Sequence, residues 1–249
     1  MGRLKMRGFH KTAMLLVLAC LALSWPAAAG EGIPMDRTEV TIRSFAEFAA
    51  RTGMVTKAEQ VGGMVYEAGW VSKPGWNWKQ PYGVESPLDE PAVHITFDEA
   101  EAFCIWQGKR LPTRDEWISF AYTEQRPLPP QPFVTGRTYP YPTGDRPFGA
   151  NCLDGCGMED NAPDGKVDYS SVLFRGAGHA RAGSTRQGVN GLYETGANVW
   201  EWARIHDDPY QATMGGSWWY GAYQMKADTG ATKPREMAAV YIGFRCISD

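Results

Sequence analysis

The stretch NGLYETGANVWEW, residues 190–202, decides the fold. It contains glycines and asparagines, which favour turns and the left-handed backbone region, so it cannot form an ordinary helix. Its acids and backbone carbonyls offer oxygen ligands for a hard cation, while Trp200 and Trp202 anchor the segment in a core. A tryptophan-rich core turn without an ion explains the same residues equally well.

The first 29 residues have the pattern of a secretory signal peptide. Basic residues precede an apolar run over residues 13–23, and an Ala-x-Ala cleavage site ends at Ala29. The run is too short to cross a bilayer, so we expect a periplasmic protein with no membrane span in the mature chain. Residues 30–249 then form one domain. A lipoprotein anchored at Cys20 is an alternative that the preceding residues fit poorly.

The charge and composition of the chain limit which partners it can bind and which fold class it can adopt. The full chain has a formal net charge of −3, and the signal peptide holds four basic and no acidic residues, which leaves −7 on the mature chain. An acidic exported chain has no electrostatic reason to bind nucleic acid or anionic lipid. Glycine, proline and tryptophan occur along the whole chain, which favours a loop-rich α+β domain.

Four cysteines remain after the predicted cleavage: Cys104, Cys152, Cys156 and Cys246. An even number in an oxidising compartment indicates disulfides, and three pairings are open. We favour Cys152–Cys156, which are close in sequence, and this leaves Cys104–Cys246. Alternatively, Cys152 and Cys156 form half of a zinc or copper site with Asp154, but no second pair stands at metal-ligand spacing.

Local signals predict three helices and several strands. Capping boxes begin helices at Thr96 and Thr113, and Ser44 is predicted to cap a helix through Ala50. The aromatic stretch over residues 62–82 is predicted to be irregular, either as the wall of a ligand pocket or as packing against the domain. Strands are predicted over residues 39–42, 92–96, 215–220 and 240–246.

Three stretches together resemble the sulfatase-modifying-factor, or formylglycine-generating-enzyme, family over nearly the whole mature chain. They are AEAFCIWQGKRLPTRDEW at 100–117, NGLYETGANVWEW at 190–202, and GGSW at 215–218 with a terminal GFRC at 243–246. The resemblance implies a single loop-rich α+β domain with the C-type-lectin-like fold. It also implies a disulfide that corresponds to Cys104–Cys246.

The resemblance further implies a structural calcium ion within residues 190–202. Glu194 and Glu201 match its side-chain ligands, and Ala197 and Val199 match its backbone-carbonyl ligands. Glu194 stands where an amide or an aspartate is usual, which keeps the ligand oxygen on a longer arm.

A second calcium site of the family would begin at Asn151 and the carbonyl of Cys152. Its later ligands fall near Phe174 and Gly176, where no suitable carboxylate stands, so only Asp168 could substitute. This second site is therefore an incomplete match.

The chain departs from the family at the catalytic positions. Formylglycine generators hold copper with two cysteines shortly after the GGS motif, and Tyr220 and Met225 stand there instead. A thiolate-bound copper(I) centre of that kind cannot form without the thiols, so sulfatase activation is not expected. Another redox metal is left open.

Exported family members without these cysteines look more similar. One such group acts in maturation of the siderophore pyoverdine, and another is encoded as an accessory to copper nitrite reductase. The first hypothesis is oxidative tailoring of a peptide or small molecule. Its cleft is lined by the catalytic candidates Trp200, Ser217, Tyr220 and Tyr223, and one of the two tyrosines acts as a proton or electron relay.

The second hypothesis is a binding or assembly protein. The aromatic cleft would then grip a periplasmic metalloenzyme, since a fold does not fix a function. The same aromatic residues could also simply fill an emptied active-site cleft.

Overall fold

Threonine side chains begin the four α-helices found among the described residues. Each threonine accepts a hydrogen bond from a backbone N–H of the first turn, and at three helices a glutamate completes a capping box. These caps fix where short helices start in a chain with little regular structure. The helices are α1 (Ile42–Thr52), α2 (Lys57–Val61), α3 (Phe97–Trp106) and α4 (Arg114–Tyr122).

This computed structural model describes residues 1–2, 33–157, 165–206 and 208–249. The predicted signal peptide, with its apolar run, Cys20 and Ala29, lies outside the described residues. Gly32–Asp249 forms one compact unit. Within the described ranges, no helix combines the length and the apolar character needed to cross a membrane.

Two small sheets complete the fold. A hairpin pairs β1 (Gly63–Tyr66) with β2 (Trp70–Lys73). A four-stranded sheet has the order β5-β4-β3-β6, and its only parallel pair is β3 with β6. The strands of this sheet are β3 (Trp200–Ala203), β4 (Tyr210–Met214), β5 (Ala231–Pro234) and β6 (Ile242–Gly243).

Several local predictions were wrong. The segment over 39–42 is not a strand, because Thr41 rather than Ser44 caps α1 and the helix already begins at Ile42. Residues 92–96 form no strand, since His94 adopts a positive φ of 57° that interrupts the extended chain. The predicted strand over 215–220 is a turn region.

Two glycines and one hairpin explain the remaining differences. Gly215 and Gly216 have φ values of 91° and 84°, so the strand ends at Met214. The stretch over 62–82 is not wholly irregular, because it contains the β1–β2 hairpin. The composition of this stretch did not distinguish a β-hairpin from an irregular loop.

The main core cluster is rich in aromatic side chains, and its residues come from segments between Val40 and Cys246. Phe45 packs against Trp78, Phe103 and Phe244 with ring centroids 5.1, 5.8 and 6.3 Å apart. The Cys104–Cys246 disulfide links α3 to the segment after β6. This disulfide ties the middle of the chain to its C-terminal segment.

Candidate functional site

Residues 190–202 form a turn-rich segment that runs into β3. Asn190, Glu194, Ala197 and Asn198 have φ values between 53° and 63°, the left-handed region that most residues avoid. The side-chain amide of Asn190 offsets part of this cost by donating to two carbonyls at the end of α4, at 2.8 and 2.7 Å. Backbone strain that is held in place by surrounding hydrogen bonds is typical of binding and catalytic sites.

Glu201 is fully buried and paired with Arg245. The Arg245 guanidinium donates to both carboxylate oxygens of Glu201 at 2.7 Å, and Trp117 Nε1 donates to one of them at 2.8 Å. Arg245 also donates to the backbone carbonyls of Asp36 and Tyr193. A bidentate, fully buried pair of this kind is among the strongest charge-assisted contacts in proteins.

Glu194 is buried as well, and its carboxylate is held by neutral donors. Its oxygens accept hydrogen bonds from the backbone N–H groups of Gly183 and Thr185 and from the Thr185 hydroxyl, at 2.7 to 3.0 Å. Burial raises the pKa of Glu194, and these hydrogen bonds oppose the rise only in part.

A third buried carboxyl group, Glu39, lies beside the segment. It accepts from Asn198 Nδ2 at 2.6 Å and from the Val199 backbone N–H at 3.3 Å. Burial raises the pKa of Glu39 well above its ordinary value, and the negative charges of Glu194 and Glu201 raise it further. No local pattern pointed to Glu39, because it is 159 residues from Asn198 in the sequence.

The donor set offers a hard cation oxygen ligands and negative charge, although the Arg245 guanidinium already holds both oxygens of Glu201. The three carboxyl groups of Glu39, Glu194 and Glu201 share one guanidinium, so the cluster carries excess negative charge when all three are ionised. Carboxylate and carbonyl oxygens are the ligands that calcium prefers. Within residues 33–157, 165–206 and 208–249, no three His, Cys, Asp or Glu side chains converge as a metal site. A calcium ion would therefore combine fewer carboxylates with backbone carbonyls, as the sequence motif predicts.

The second predicted calcium site contains a lysine instead. The Lys166 ammonium donates to Asn151 Oδ1 at 2.6 Å, the only side-chain oxygen that Asn151 offers. The Asn151 amide nitrogen donates to Gly178 O and Asn198 Oδ1. A divalent ion there would lie against a like charge, as it also would at Glu201 beside Arg245, and the Lys166 contact occupies the one side-chain oxygen of Asn151.

The raised pKa values predict an unusual pH dependence for the chain without calcium. A carboxyl group whose pKa is higher in the folded state than in the unfolded state destabilises the fold as pH rises through the folded value. With a chelator present, we expect these two carboxyl groups to raise the melting temperature as pH is lowered from neutral toward the ordinary glutamate value of 4.5, against the opposite contribution of His94, whose pKa burial lowers to about 4. Glu39→Gln should reduce this slope in thermal unfolding.

Two controls accompany that measurement. Glu47→Gln changes an exposed acid on α1 and should leave the slope unchanged. Saturating calcium should flatten the wild-type curve, because a bound cation keeps the carboxylates ionised. A wild-type curve in chelator that runs parallel to the curve of Glu39→Gln between pH 7 and pH 5 would contradict the assignment.

The cleft residues predicted from sequence are only partly brought together. Trp200 and Tyr220 are in edge-to-face contact with ring centroids 5.7 Å apart. Ser217 is buried, and its hydroxyl oxygen lies 3.4 Å from the Trp219 backbone N–H. Tyr223 is 63% exposed, and its ring lies beside the Lys226 ammonium. Tyr220 is thus the better placed of the two tyrosines for a role in the cleft.

Met225 fills the position of the second family cysteine and is completely buried. Its sulfur lies 3.5 Å from Cys156 Sγ, which is bonded to Cys152. Cys104 and Cys246 form the other disulfide. No free thiol therefore occurs among the described residues, and a thiolate-held metal centre has no ligands there.

Two residues of the 62–82 stretch, for which a pocket wall was one of the two predictions, lie near Tyr220. Tyr66 and Trp70 of the β1–β2 hairpin are each 42% exposed, and Trp70 packs against Tyr241 with centroids 5.9 Å apart. Tyr241 in turn contacts Tyr220 at 6.5 Å. Part of the 62–82 stretch therefore lines the cleft region, whereas Trp78 and Tyr82 belong to the core.

Arg175 adds a positive charge to this region. Its guanidinium donates to the Trp219 carbonyl at 2.8 Å and lies over the Trp219 ring. Burial raises the pKa of Tyr220, and the charge of Arg175 opposes that rise. Arg175 and Tyr241 lie far from the GGS motif in sequence, so no local pattern could have found them.

A loop-rich α+β domain, closed by a four-stranded sheet and built around the 190–202 turn, defines the C-type-lectin-like fold of the formylglycine-generating-enzyme type. The family model described as "Sulfatase-modifying factor enzyme 1-like domain" matches residues 29–249. The chain belongs to this sulfatase-modifying-factor family, as its motifs predicted.

Relatives in this family differ in activity. The chain is 29% identical over 268 residues to the formylglycine-generating enzyme of Thermomonospora curvata, covering 86% of this chain and 81% of that protein. It is 28% identical over 247 residues to the inactive Cα-formylglycine-generating enzyme 2 of Bos taurus, covering 86% and 76%. The solved structure of PvdO from Pseudomonas aeruginosa has a TM-score of 0.56 at 15% identity and covers 85% of this chain and 78% of that chain.

Proposed function

We propose that this chain is an exported, periplasmic member of the family that acts in the oxidative maturation of a peptide or a siderophore. The observation that carries the proposal is the partly buried Tyr220 between Trp200 and Tyr241, at the place where the family motif puts a copper-binding cysteine. An aromatic wall with a nearby arginine suits a planar, electron-rich substrate group that carries negative charge.

In this role Tyr220 exchanges a proton or an electron with the substrate. Trp200 orients the Tyr220 ring by edge-to-face contact, and the exposed rings of Tyr66 and Trp70 exclude water from one side of a bound substrate. Arg175 stabilises negative charge that develops near Tyr220. The oxidant or redox metal is separate from the disulfide-bonded cysteines.

We propose one calcium ion as a structural cofactor. Glu194 and Glu201 and the carbonyls of Ala197 and Val199 would hold it, and Glu39 would add charge. When bound, the ion supplies positive charge that keeps the strained 190–202 segment in place; it takes no part in the reaction.

We expect the mature chain to bind a single calcium ion. Titration calorimetry on chelator-treated protein should give a stoichiometry of one, and Glu194→Ala should abolish binding. Asn151→Ala is the matched control, because Lys166 already contacts the Asn151 oxygen, and it should leave the stoichiometry at one. Two bound ions, or unchanged binding in the Glu194 variant, would contradict the proposed site.

We expect Tyr220→Phe to abolish turnover and to leave substrate affinity nearly unchanged. The ring and its contact with Trp200 remain, whereas the hydroxyl that exchanges a proton is lost. The measurement is oxygen uptake by the metal-supplemented protein with a peptide that carries a dihydro-chromophore. Tyr210→Phe, at an exposed position on β4, is the control and should keep full activity.

A second candidate function is an accessory protein for a periplasmic metalloenzyme such as copper nitrite reductase. Two exposed apolar side chains are candidates for that contact: Leu153, whose N–H donates to the Tyr220 carbonyl, and Phe174, which is 68% exposed and precedes Arg175 in sequence. Such residues favour contact with a protein partner. Leu153→Asp and Phe174→Asp should then remove purified reductase from a pull-down, while Tyr220→Phe should leave it bound.

A further inference from the structure

A buried group of polar side chains lies outside the cleft and the cation site. Tyr82 Oη is 2.9 Å from His179 Nδ1, and His179 Nε2 is 2.7 Å from Glu90 Oε2. The hydroxyl of Tyr169 lies 2.9 Å from the same Glu90 oxygen. All four side chains are 3% exposed or less, so solvent does not supply their hydrogen bonds.

The contacts leave one consistent arrangement of protons. The His179 backbone N–H donates to Tyr82 Oη at 2.9 Å, so the Tyr82 hydroxyl proton is free to point at His179 Nδ1. His179 Nδ1 then accepts, and the Nε2 proton is donated to Glu90. Burial raises the pKa of Tyr82 well above its usual value, so the phenol is protonated at rest.

Tyr82 is joined to the cleft by a chain of aromatic rings. Its centroid lies 6.3 Å from that of Trp218, and Trp218 is 6.5 Å from Tyr241. Tyr241 then contacts Tyr220 at 6.5 Å, and Tyr220 contacts Trp200. Indole and phenol are the side-chain rings that lose an electron most readily, so this contact path can carry an electron between the cleft and Tyr82.

The intermediate rings lack the partner that Tyr82 has. Within the described part of the chain, Trp218 Nε1 and Tyr241 Oη are buried and make no hydrogen bond. An unpaired buried polar atom destabilises the fold, and a phenylalanine used only for packing would avoid that cost. An oxidised tyrosine or tryptophan is stabilised when a nearby base accepts its proton. Trp218 and Tyr241 can therefore transfer the oxidation to a neighbouring ring. Tyr82 can retain it as a radical, because His179 accepts its proton.

We propose that Tyr82 is a redox-active tyrosine, with His179 as its proton acceptor and the Trp218–Tyr241 pair as its electron path to the cleft. A one-electron oxidant at the cleft, such as a peroxide-derived radical, gains one electron through this path. Tyr82 loses that electron, and its phenolic proton moves to Nδ1 of His179. The products are the reduced oxidant, a neutral tyrosyl radical and an imidazolium that Glu90 stabilises.

This role explains why a histidine with a glutamate partner is buried against the hydroxyl of Tyr82 inside a large aromatic core. It needs no particular substrate, because any one-electron oxidant that reaches the cleft produces the same radical. One-electron oxidation of Tyr220 or Trp200 would thereby be transferred to Tyr82, which is buried away from solvent.

Photo-oxidation of the mature chain tests the proposal. Tris(bipyridine)ruthenium(II) with a cobalt(III) ammine quencher generates a one-electron oxidant under illumination, and freezing traps the radical for electron paramagnetic resonance. We expect an organic radical whose hyperfine splitting changes when the protein contains ring-deuterated tyrosine. Tyr82→Phe should abolish this signal, and Trp218→Phe should reduce its yield while Tyr82 and His179 stay in place.

Tyr122→Phe is the matched control, because Tyr122 is equally buried but donates to a backbone carbonyl rather than to a base. It should keep the wild-type signal. Near-ultraviolet circular dichroism establishes that each variant is folded, and the labelled wild-type protein tests the tyrosyl assignment without any substitution. An unchanged spectrum and yield in folded Tyr82→Phe, or no response to tyrosine deuteration, would overturn the proposal.

Discussion

Replacing Arg245 with methionine is expected to lower the free energy of unfolding by about 3–5 kcal/mol, the usual cost of breaking a buried ion pair by removing one partner. Arg245 is the guanidinium closest to three buried carboxyl groups and pairs with both oxygens of Glu201. Without it, the charge on Glu201 is uncompensated, and two backbone carbonyls lose their donor. Denaturant unfolding followed by tryptophan fluorescence measures the change.

The control for this variant is Arg51→Met. Arg51 pairs with Glu47 one helical turn away on the exposed face of α1, and such pairs contribute about 0.3–0.5 kcal/mol. Saturating calcium should restore part of the stability of Arg245→Met, because a cation then replaces the lost positive charge. Equal effects of the two substitutions would show that the buried cluster is neutral in the folded state.

The second large effect is expected from the long-range disulfide. Cys104 and Cys246 are 142 residues apart, whereas Cys152 and Cys156 are four apart. In the chain-entropy model, removing the long bridge with Cys104→Ala and Cys246→Ala costs about 5 kcal/mol, and removing the short bridge costs about 2 kcal/mol. Differential scanning calorimetry of the two double variants gives the ranking directly.

That ranking depends on the unfolded state, since a bridge over a longer loop removes more conformational freedom from it. A loss of about 5 kcal/mol is a large part of the total stability of a typical domain. If the Cys152–Cys156 variant were the less stable of the two, native packing of the disulfide against Met225 would outweigh chain entropy.

Much of the fold could be predicted because its signals are local. The helix starts at Thr96 and Thr113 follow from capping boxes that span four residues, and both boxes are present. The turn-rich character of 190–202 follows from its glycines and asparagines. The strand over 92–96 was wrong, since the left-handed backbone of His94 depends on a buried environment that its neighbours do not reveal.

The chemistry of the site was harder to predict because its partners are distant in sequence. Glu39, Lys166 and Arg245 contact the predicted cation-site residues only in the folded chain. Tyr241 faces the cleft from the C-terminal segment, and no spacing relates it to Tyr220. The motif identified Trp200 and Glu201, which lie on β3, and tertiary packing brought the distant partners to them.

The parallel pairing of β6 with β3 has a consequence for biosynthesis. Ile242 and Gly243 pair with Trp200 and Glu201, and Arg245 and Cys246 follow at once. A nascent chain that has emerged only as far as residue 240 therefore lacks strand β6. It also lacks the buried guanidinium of Arg245 and one cysteine of the Cys104–Cys246 disulfide. Translation products that stop early cannot complete the core, and cellular proteases can distinguish them from finished molecules.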